Sequence, residues 1–428
     1  MTDRQIQDLG PAFAKYLRQY CDCFGQSRVA RHFDNYCRGL ISDLPRKSVE
    51  PIALASGTRV RTLQEFLTVT DWEHDTALER LQCWLGDRIA ELPADPLGNV
   101  GVIDETSCRK KGDETPGVQR QYLGCVGKVD NGIVSVHIGV ARGRFQALLD
   151  ADPFLPESWS GDRERCRAAG IPDSLVHRPK WRIALEQLDR VRGNGIRFDW
   201  LTFDEGYGSC PGFLHSLGDR GQKYVAEVPV SMSLSDALGG AARRADGIVG
   251  RTLASFGTAY TMRRATTSDV RWRARTHRVW MGTRECLLVA AISEATGEVK
   301  YFLTESVDED VGKILEVAFR RATIEHGFRV AKSEAGLSHF EGRQYVGLMR
   351  HMILTLIVLG FVSAHADGLR GEKPARDDGA GVPCDADAMR ADLPPEAGDV
   401  GTTARRGGDT IPPAPKRAGH QIPQEKAA

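Results

Sequence analysis

Two short apolar runs in this chain each carry a carboxylate. They are Asn99-Val-Gly-Val-Ile-Asp104 and Phe198-Asp-Trp-Leu-Thr-Phe-Asp204. Their length and apolar content read as strands, which places each aspartate at the C-terminal end of a strand. A third acid, Glu325, falls in a segment of helical periodicity near the end of the apolar-rich part of the chain. Two strand-end aspartates and a helix glutamate could together hold a pair of divalent metal ions.

The 428 residues suffice for about two to three domains with sizeable cores. A hydrophobic share of 41% and a charged share of 27% belong to an ordinary globular chain. The apolar run Met352-Ile-Leu-Thr-Leu-Ile-Val-Leu-Gly-Phe-Val362 is shorter than the roughly 20 residues of a membrane span and reads as a buried helix. With no apolar core after Met1-Thr-Asp-Arg-Gln5, a cytoplasmic location is expected, without a membrane partner. The ten cysteines are scattered irregularly and read as reduced thiols. Formal net charge is zero, so a nucleic-acid partner has to be sought in local charge.

Apolar spacing predicts helices through residues 1–98, with Arg28, Arg31, Arg38, Arg46, Lys47, Arg59 and Arg61 among them. Strands are expected at Val100–Asp104, Gln121–Val129 and Ile133–Ala141, then a helix at Trp181–Arg192, a strand to Asp204, a helix at Pro211–Leu217 and a strand at Tyr224–Val228. That order is an α/β pattern with a mixed sheet. Residues 230–305 read as a β-rich insertion. Between Arg243 and Arg284 they hold ten arginines against two acids, Asp246 and Asp269, with Trp272 and Trp280 interleaved. Arginines such as Arg273 and Arg275 beside tryptophans suit phosphate contact and base stacking; a twisted sheet with a basic solvent face is the plainer reading. Helical periodicity returns from Asp308 to about Ser333 and from Tyr345 to Val362. Beyond Phe361 there is no aromatic residue, and residues 366–428 read as a low-complexity tail unable to order itself.

Three acids in such places suit a pair of Mg²⁺ (or Mn²⁺) ions. Two divalent ions about 3.5–4 Å apart activate a water and stabilise the leaving oxygen of a phosphodiester, and hard cations prefer carboxylate oxygen. At about 100° per residue, Arg321, Glu325 and Lys332 share one helix face, while Glu316 and Glu334 fall opposite. Lys110 and Lys111 follow the first aspartate and are expected either at phosphate or in an exposed turn.

The sequence around these acids resembles a DDE transposase of bacterial insertion sequences, of the insertion-sequence-four superfamily and its branch called family seven-oh-one. Three blocks carry the resemblance. The first is Val102-Ile-Asp104-Glu-Thr with Lys110-Lys-Gly112 and Gly117-Val-Gln-Arg-Gln-Tyr122-Leu-Gly124. The second is Leu201-Thr-Phe-Asp204-Glu-Gly-Tyr-Gly208 with Gln222-Lys-Tyr-Val-Ala-Glu-Val-Pro229. The third is Arg321-x3-Glu325-x6-Lys332, then Glu334-Ala-Gly-Leu337-Ser-His-Phe-Glu-Gly-Arg343 and Met349-Arg-His351. The third departs from the family signature at its tyrosine, which is Ala318 here beside Phe319.

The resemblance implies an α/β fold: a helical N-terminal DNA-binding domain (1–98), an RNase H-like catalytic core (99–229 and 306–365) and a β-rich insertion (230–305). It implies catalytic, metal-holding Asp104, Asp204 and Glu325, and DNA contacts from Arg321, Lys332, Lys110, Lys111, Arg273, Arg275, Trp272 and Trp280. The partners implied are double-stranded DNA, as terminal inverted repeats and target, and a second copy of the chain on that DNA. In relatives a tryptophan of the insertion supports a hairpin intermediate, a role for which Trp272 and Trp280 both qualify. The competing reading is a catalytically inactive remnant that only binds DNA.

Overall fold

The computed structural model describes residues 3–250, 257–262 and 270–371. Five helices come first: α1 (Asp3–Arg18), α2 (Ser27–Ile41), α3 (Val49–Ala55), α4 (Val60–Thr68) and α5 (His74–Glu91). Strands β1 (Val100–Arg109), β2 (Gln119–Leu123), β3 (Lys128–Arg142) and β4 (Phe145–Pro153) come next. Short α6 (Glu157–Ser160) and α7 (Arg163–Ala168) lead to α8 (Lys180–Gly193), β5 (Trp200–Phe203), α9 (Glu205–Gly208), α10 (Pro211–Asp219) and β6 (Tyr224–Val228). Then come β7 (Ser233–Ser235), β8 (Ala242–Arg244), α11 (Ala245–Val249), β9 (Thr258–Met262), β10 (Val270–Met281), β11 (Arg284–Ser293) and β12 (Val299–Thr304). The described chain closes with α12 (Val311–Phe319), α13 (Arg321–Ser333) and α14 (Tyr345–Gly371). The expected tail begins at 366, yet α14 continues to Gly371; residues 372–428 lie outside the described residues.

One mixed sheet dominates the α/β fold. Its order is β2-β3-β1-β5-β6-β12-β11-β10-β7-β8, with β4 on β3 and β9 on β10. Strands β1, β5 and β6 run parallel, and β12 joins β6 antiparallel. The strands expected to form an insertion thus extend the central sheet. One expected strand is split and one strand was not expected. The run Gln121–Val129 contains the turn joining β2 to β3, and β4 emerges as a further strand. Its alternation is masked by Asp150 and Asp152, both buried in ion pairs with Arg190 of α8.

Both faces of the sheet are covered, which is why its central strands read as nearly continuous apolar runs. On one face α12 packs Ile314, Leu315 and Val317 against Val100, Trp200, Val225, Phe302 and Trp272. α14 packs against β4 as well as α2, α4 and α5, so the N-terminal helices share one apolar core with the sheet. Tyr16 of α1 donates its hydroxyl to the Ile357 carbonyl of α14 at 2.8 Å, and Phe13 stacks near Phe361 at 4.8 Å. By length and hydropathy Tyr345–Ala366 is apolar enough to cross a membrane, but 89% of that window is buried in the fold. It is a core helix.

Candidate active site

The parallel pairing of β1 with β5 places Ile103 opposite Phe203. The next residues are Asp104 and Asp204, so the two carboxylates start from adjacent backbone positions. β5 ends at Phe203, whereas β1 runs five residues beyond Asp104 to Arg109. Asp104 is therefore mid-strand, not at a strand end as the apolar run implied; what ends beside it is its neighbour. The Asp204 side chain caps α9 by accepting the Tyr207 N–H at 3.3 Å. Only glycine fits at the end of α9: a Cβ on Gly208 would overlap the Glu227 carbonyl of β6.

α13 crosses the face of β1 that Asp104 shares with His137 of β3. Ile324 lies over Gly139, where a Cβ would come within 3.2 Å of it, and Phe328 packs edge-on to the His137 ring at 4.9 Å. This packing delivers Arg321 to the acids. Its Nη1 is 3.3 Å from Asp104 Oδ2 and 3.1 Å from Glu325 Oε1. Its Nε is 3.8 Å from Glu227 Oε2. Glu227 stands on the same sheet face and also receives Lys300 Nζ at 2.6 Å.

That crowding sets the electrostatics. Asp104 is 8% exposed. Burial, and then the neighbouring Asp204, push its carboxyl up to about 7, against the Glu105 N–H and Arg321, which hold it down. An all-oxygen donor set with more negative charge than its one guanidinium offsets is the chemistry a hard divalent cation satisfies. The residues present fit such an ion in kind. Among the described residues, however, no three His, Cys, Asp or Glu side chains already converge as a ligand sphere; Arg321 stands between Asp104 and Glu325.

The helix expected from Asp308 to about Ser333 is not continuous: the chain breaks at Arg320, so Glu316 belongs to α12. The contact that singles out Glu325 is the i,i+4 pair with Arg321. Lys332, two turns further on, makes its charge felt at buried His137 and Cys108, so its ammonium is near the β1–β3 surface. His137 is fully buried, 2.7 Å from Ser135 Oγ, and held neutral with its pKa down at about 3.

Other expected contacts separate. Lys110 turns inward: its Nζ donates to the Phe340 carbonyl at 2.5 Å and burial lowers its pKa. Lys47 likewise donates to the Glu334 carbonyl. Both clamp the segment after α13, where Gly336 has φ +69° and a Cβ would lie 2.6 Å from Lys47 Cβ. Much of the third sequence block is therefore a structural splice. Lys111, Arg28, Arg31 and Arg59 are exposed.

Trp272 is in the core, its ring 4.8 Å from Phe319, so it presents no free stacking face; Trp280 is half-buried. Among the described residues, five arginines of the 243–284 stretch (Arg243, Arg271, Arg273, Arg278 and Arg284) pair with acids outside it. Glu294 serves Arg271 and Arg273, Glu285 and Asp308 serve Arg278, and Glu305 serves Arg284. Arg275 is exposed, with no acid at ion-pair distance among the described residues. The sequence reading passed over Glu227, Lys300 and Tyr207, although Glu227 and Tyr207 lie inside the second block. The signal was a lone charge alternating with apolar residues in Tyr224–Val228. Tyr207 is buried near Glu105, Asp104 and Asp204.

Comparison with known proteins bears on this arrangement. The chain is 32% identical over 222 residues to the "Probable transposase for insertion sequence element IS701" of Microchaete diplosiphon, which covers 50% of this chain. It spans about half (54%) of that relative. A piggyBac transposase in a synaptic complex with hairpin DNA is a distant structural neighbour, at TM-score 0.43 and 12% identity, covering 80% of this chain and 66% of that one. The family described as DDE superfamily endonuclease matches residues 19–280, a span that takes in Asp104 and Asp204 and stops short of Glu325. Matched over more than half its length, the chain belongs to the DDE superfamily endonuclease family.

Proposed function

We propose that this protein is an insertion-sequence transposase that binds the terminal inverted repeats of its own element, cuts there and joins the ends to target DNA. The observation that carries the reading is the adjacency of Asp104 and Asp204 across β1 and β5, with Glu325 of α13 linked to Asp104 through Arg321. On this reading the strands β3, β1, β5 and β6 with α13 form an RNase H-like core.

Asp104, Asp204 and Glu325 would hold two divalent ions, Mg²⁺ or Mn²⁺, as DDE endonucleases generally use. Bound there, such ions supply a lowered pKa for the attacking water or 3′-hydroxyl and charge stabilisation at the leaving oxygen. The protein's share is placement. Asp104 is held by its backbone pairing with His137 of β3, one residue past the last β1–β5 pair, Ile103 with Phe203. Arg321 supplies a cation within reach of the reacting phosphate, as guanidinium groups do well. Exposed Arg28, Arg31, Arg59, Lys111 and Arg275, with half-buried Lys332 and Trp280, are the candidate DNA contacts on this reading. Two ends must be cut together, which calls for at least a homodimer on DNA, acting at the nucleoid of a bacterial cytoplasm.

The test uses linear DNA carrying the element's repeat ends. Incubation with protein and Mg²⁺ is expected to cut at the repeat boundary and leave 3′-hydroxyl ends. Specific binding with no cutting in Mg²⁺ or Mn²⁺ would instead identify an inactive DNA-binding remnant.

A further inference from the structure

Arg321 poses a problem that the geometry also answers. Its Nη1 occupies oxygens of Asp104 and Glu325. On the transposase reading, on which this inference rests, those are the very atoms a divalent ion needs. An ion drawing on Asp104 Oδ2 and Glu325 Oε1 competes with the guanidinium for them. Arg321 must be drawn aside, and some carboxylate must receive it. Asp204 is a poor recipient, since it is a proposed ligand and its Oδ1 caps α9.

We infer that Glu227 is that recipient: a positioning residue that takes Arg321 away from Asp104 and Glu325 when a divalent ion binds. Three observations support it. Lys300 holds Glu227 Oε1 at 2.6 Å, leaving Oε2 turned toward Arg321. The Nε–Oε2 separation is already 3.8 Å, so a shift of about 1 Å reaches charge-assisted hydrogen-bond distance. The backbone of Glu227 is fixed by β12 on one side and by the Gly208 contact on the other, so the recipient cannot drift. Glu227 thus acts through Arg321, and Lys300 competes with Arg321 for it.

The experiment titrates Mn²⁺ alone, without DNA, into the full chain and monitors binding by calorimetry, with melting curves in chelator confirming folding. Glu227→Gln is expected to bind Mn²⁺ about five- to tenfold more weakly, since Arg321 then stays on the ligands. Arg321→Gln is expected to bind more tightly than wild type. In that background, adding Glu227→Gln should change affinity by less than about twofold, because the residue it acts through is gone. Lys300→Met, which frees Glu227 for Arg321, should bind more tightly, and it keeps the inference testable if Glu227→Gln misfolds. Equal affinity of Glu227→Gln and wild type overturns the inference. So does a loss that persists in the Arg321→Gln background, which would make Glu227 itself a ligand, and so does unchanged or weaker binding by Lys300→Met. A wild-type protein that binds no Mn²⁺ overturns the metal site along with it.

Discussion

Asp104 is held in an environment that disfavours its own charge. Its pKa is raised from 3.8 to about 7, so between those values the native state keeps a proton that the unfolded chain has released. Stability must then fall as pH rises through that window and stay low above it. Asp104→Asn removes the penalty. In chelator it is expected to melt higher than wild type at pH 8, by at most about 4 kcal/mol, and nearly level with wild type at pH 4. A mutant destabilised at both pH values would mean that the carboxylate is structural. The opposite sign is expected at Arg190, whose guanidinium pairs with fully buried Asp150 and with Asp152. Arg190→Met should cost about 3 kcal/mol in denaturant unfolding, because it leaves buried carboxylates unpaired. Removing a site residue stabilises, and removing a structural ion-pair partner destabilises.

At the scale of elements, the sequence disclosed what depends on local pattern and hid what depends on partners. The strand Tyr224–Val228 and the helix from Lys180 were readable because apolar periodicity and the Asn-Gly stop are local. β4 was not, since Asp150 and Asp152 are buried against distant partners, chiefly Arg190, 40 and 38 residues away. The break at Arg320 was equally hidden, as α12 and α13 share one apolar periodicity and part only because they cover different strands. Arg271, Arg273, Arg278 and Arg284 looked unpaired because their acids, Glu294, Glu285, Asp308 and Glu305, lie outside the 243–284 stretch and are brought to them by the fold. Two substitutions test the assignments. Trp272→Ala, in the β10 core, should destabilise by about 3–5 kcal/mol, while Arg275→Ala should leave stability within about 0.5 kcal/mol and weaken DNA binding. Gly208→Ala should displace α9 from β6 and lower both melting temperature and cutting; unimpaired cutting would show that the α9 contact does not position Asp204.

For the whole molecule, the N-terminal helices and the sheet are one folding unit. α14 is apolar nearly all round because α1, α2, α4 and α5 cover one side and β4 another. Deleting residues 1–98 should therefore leave an insoluble or protease-sensitive remainder instead of an independent core. The sequence showed a helical segment and a sheet segment, but it could not show that both close over the same helix. In the candidate site, Asp104, Asp204 and Glu325 were picked out by the sequence blocks around them, whereas Glu227 and Lys300 come together only through the register of β6 with β12.

The central claim is that these three acids cut DNA. Wild type and the Asp104→Asn, Asp204→Asn and Glu325→Gln variants should be compared on the element's own ends with Mg²⁺, with binding measured in parallel. The expected result is cutting by wild type alone and repeat binding by all four. Residual cutting by Glu325→Gln near the wild-type rate, or its loss in Glu334→Gln instead, would contradict the assignment.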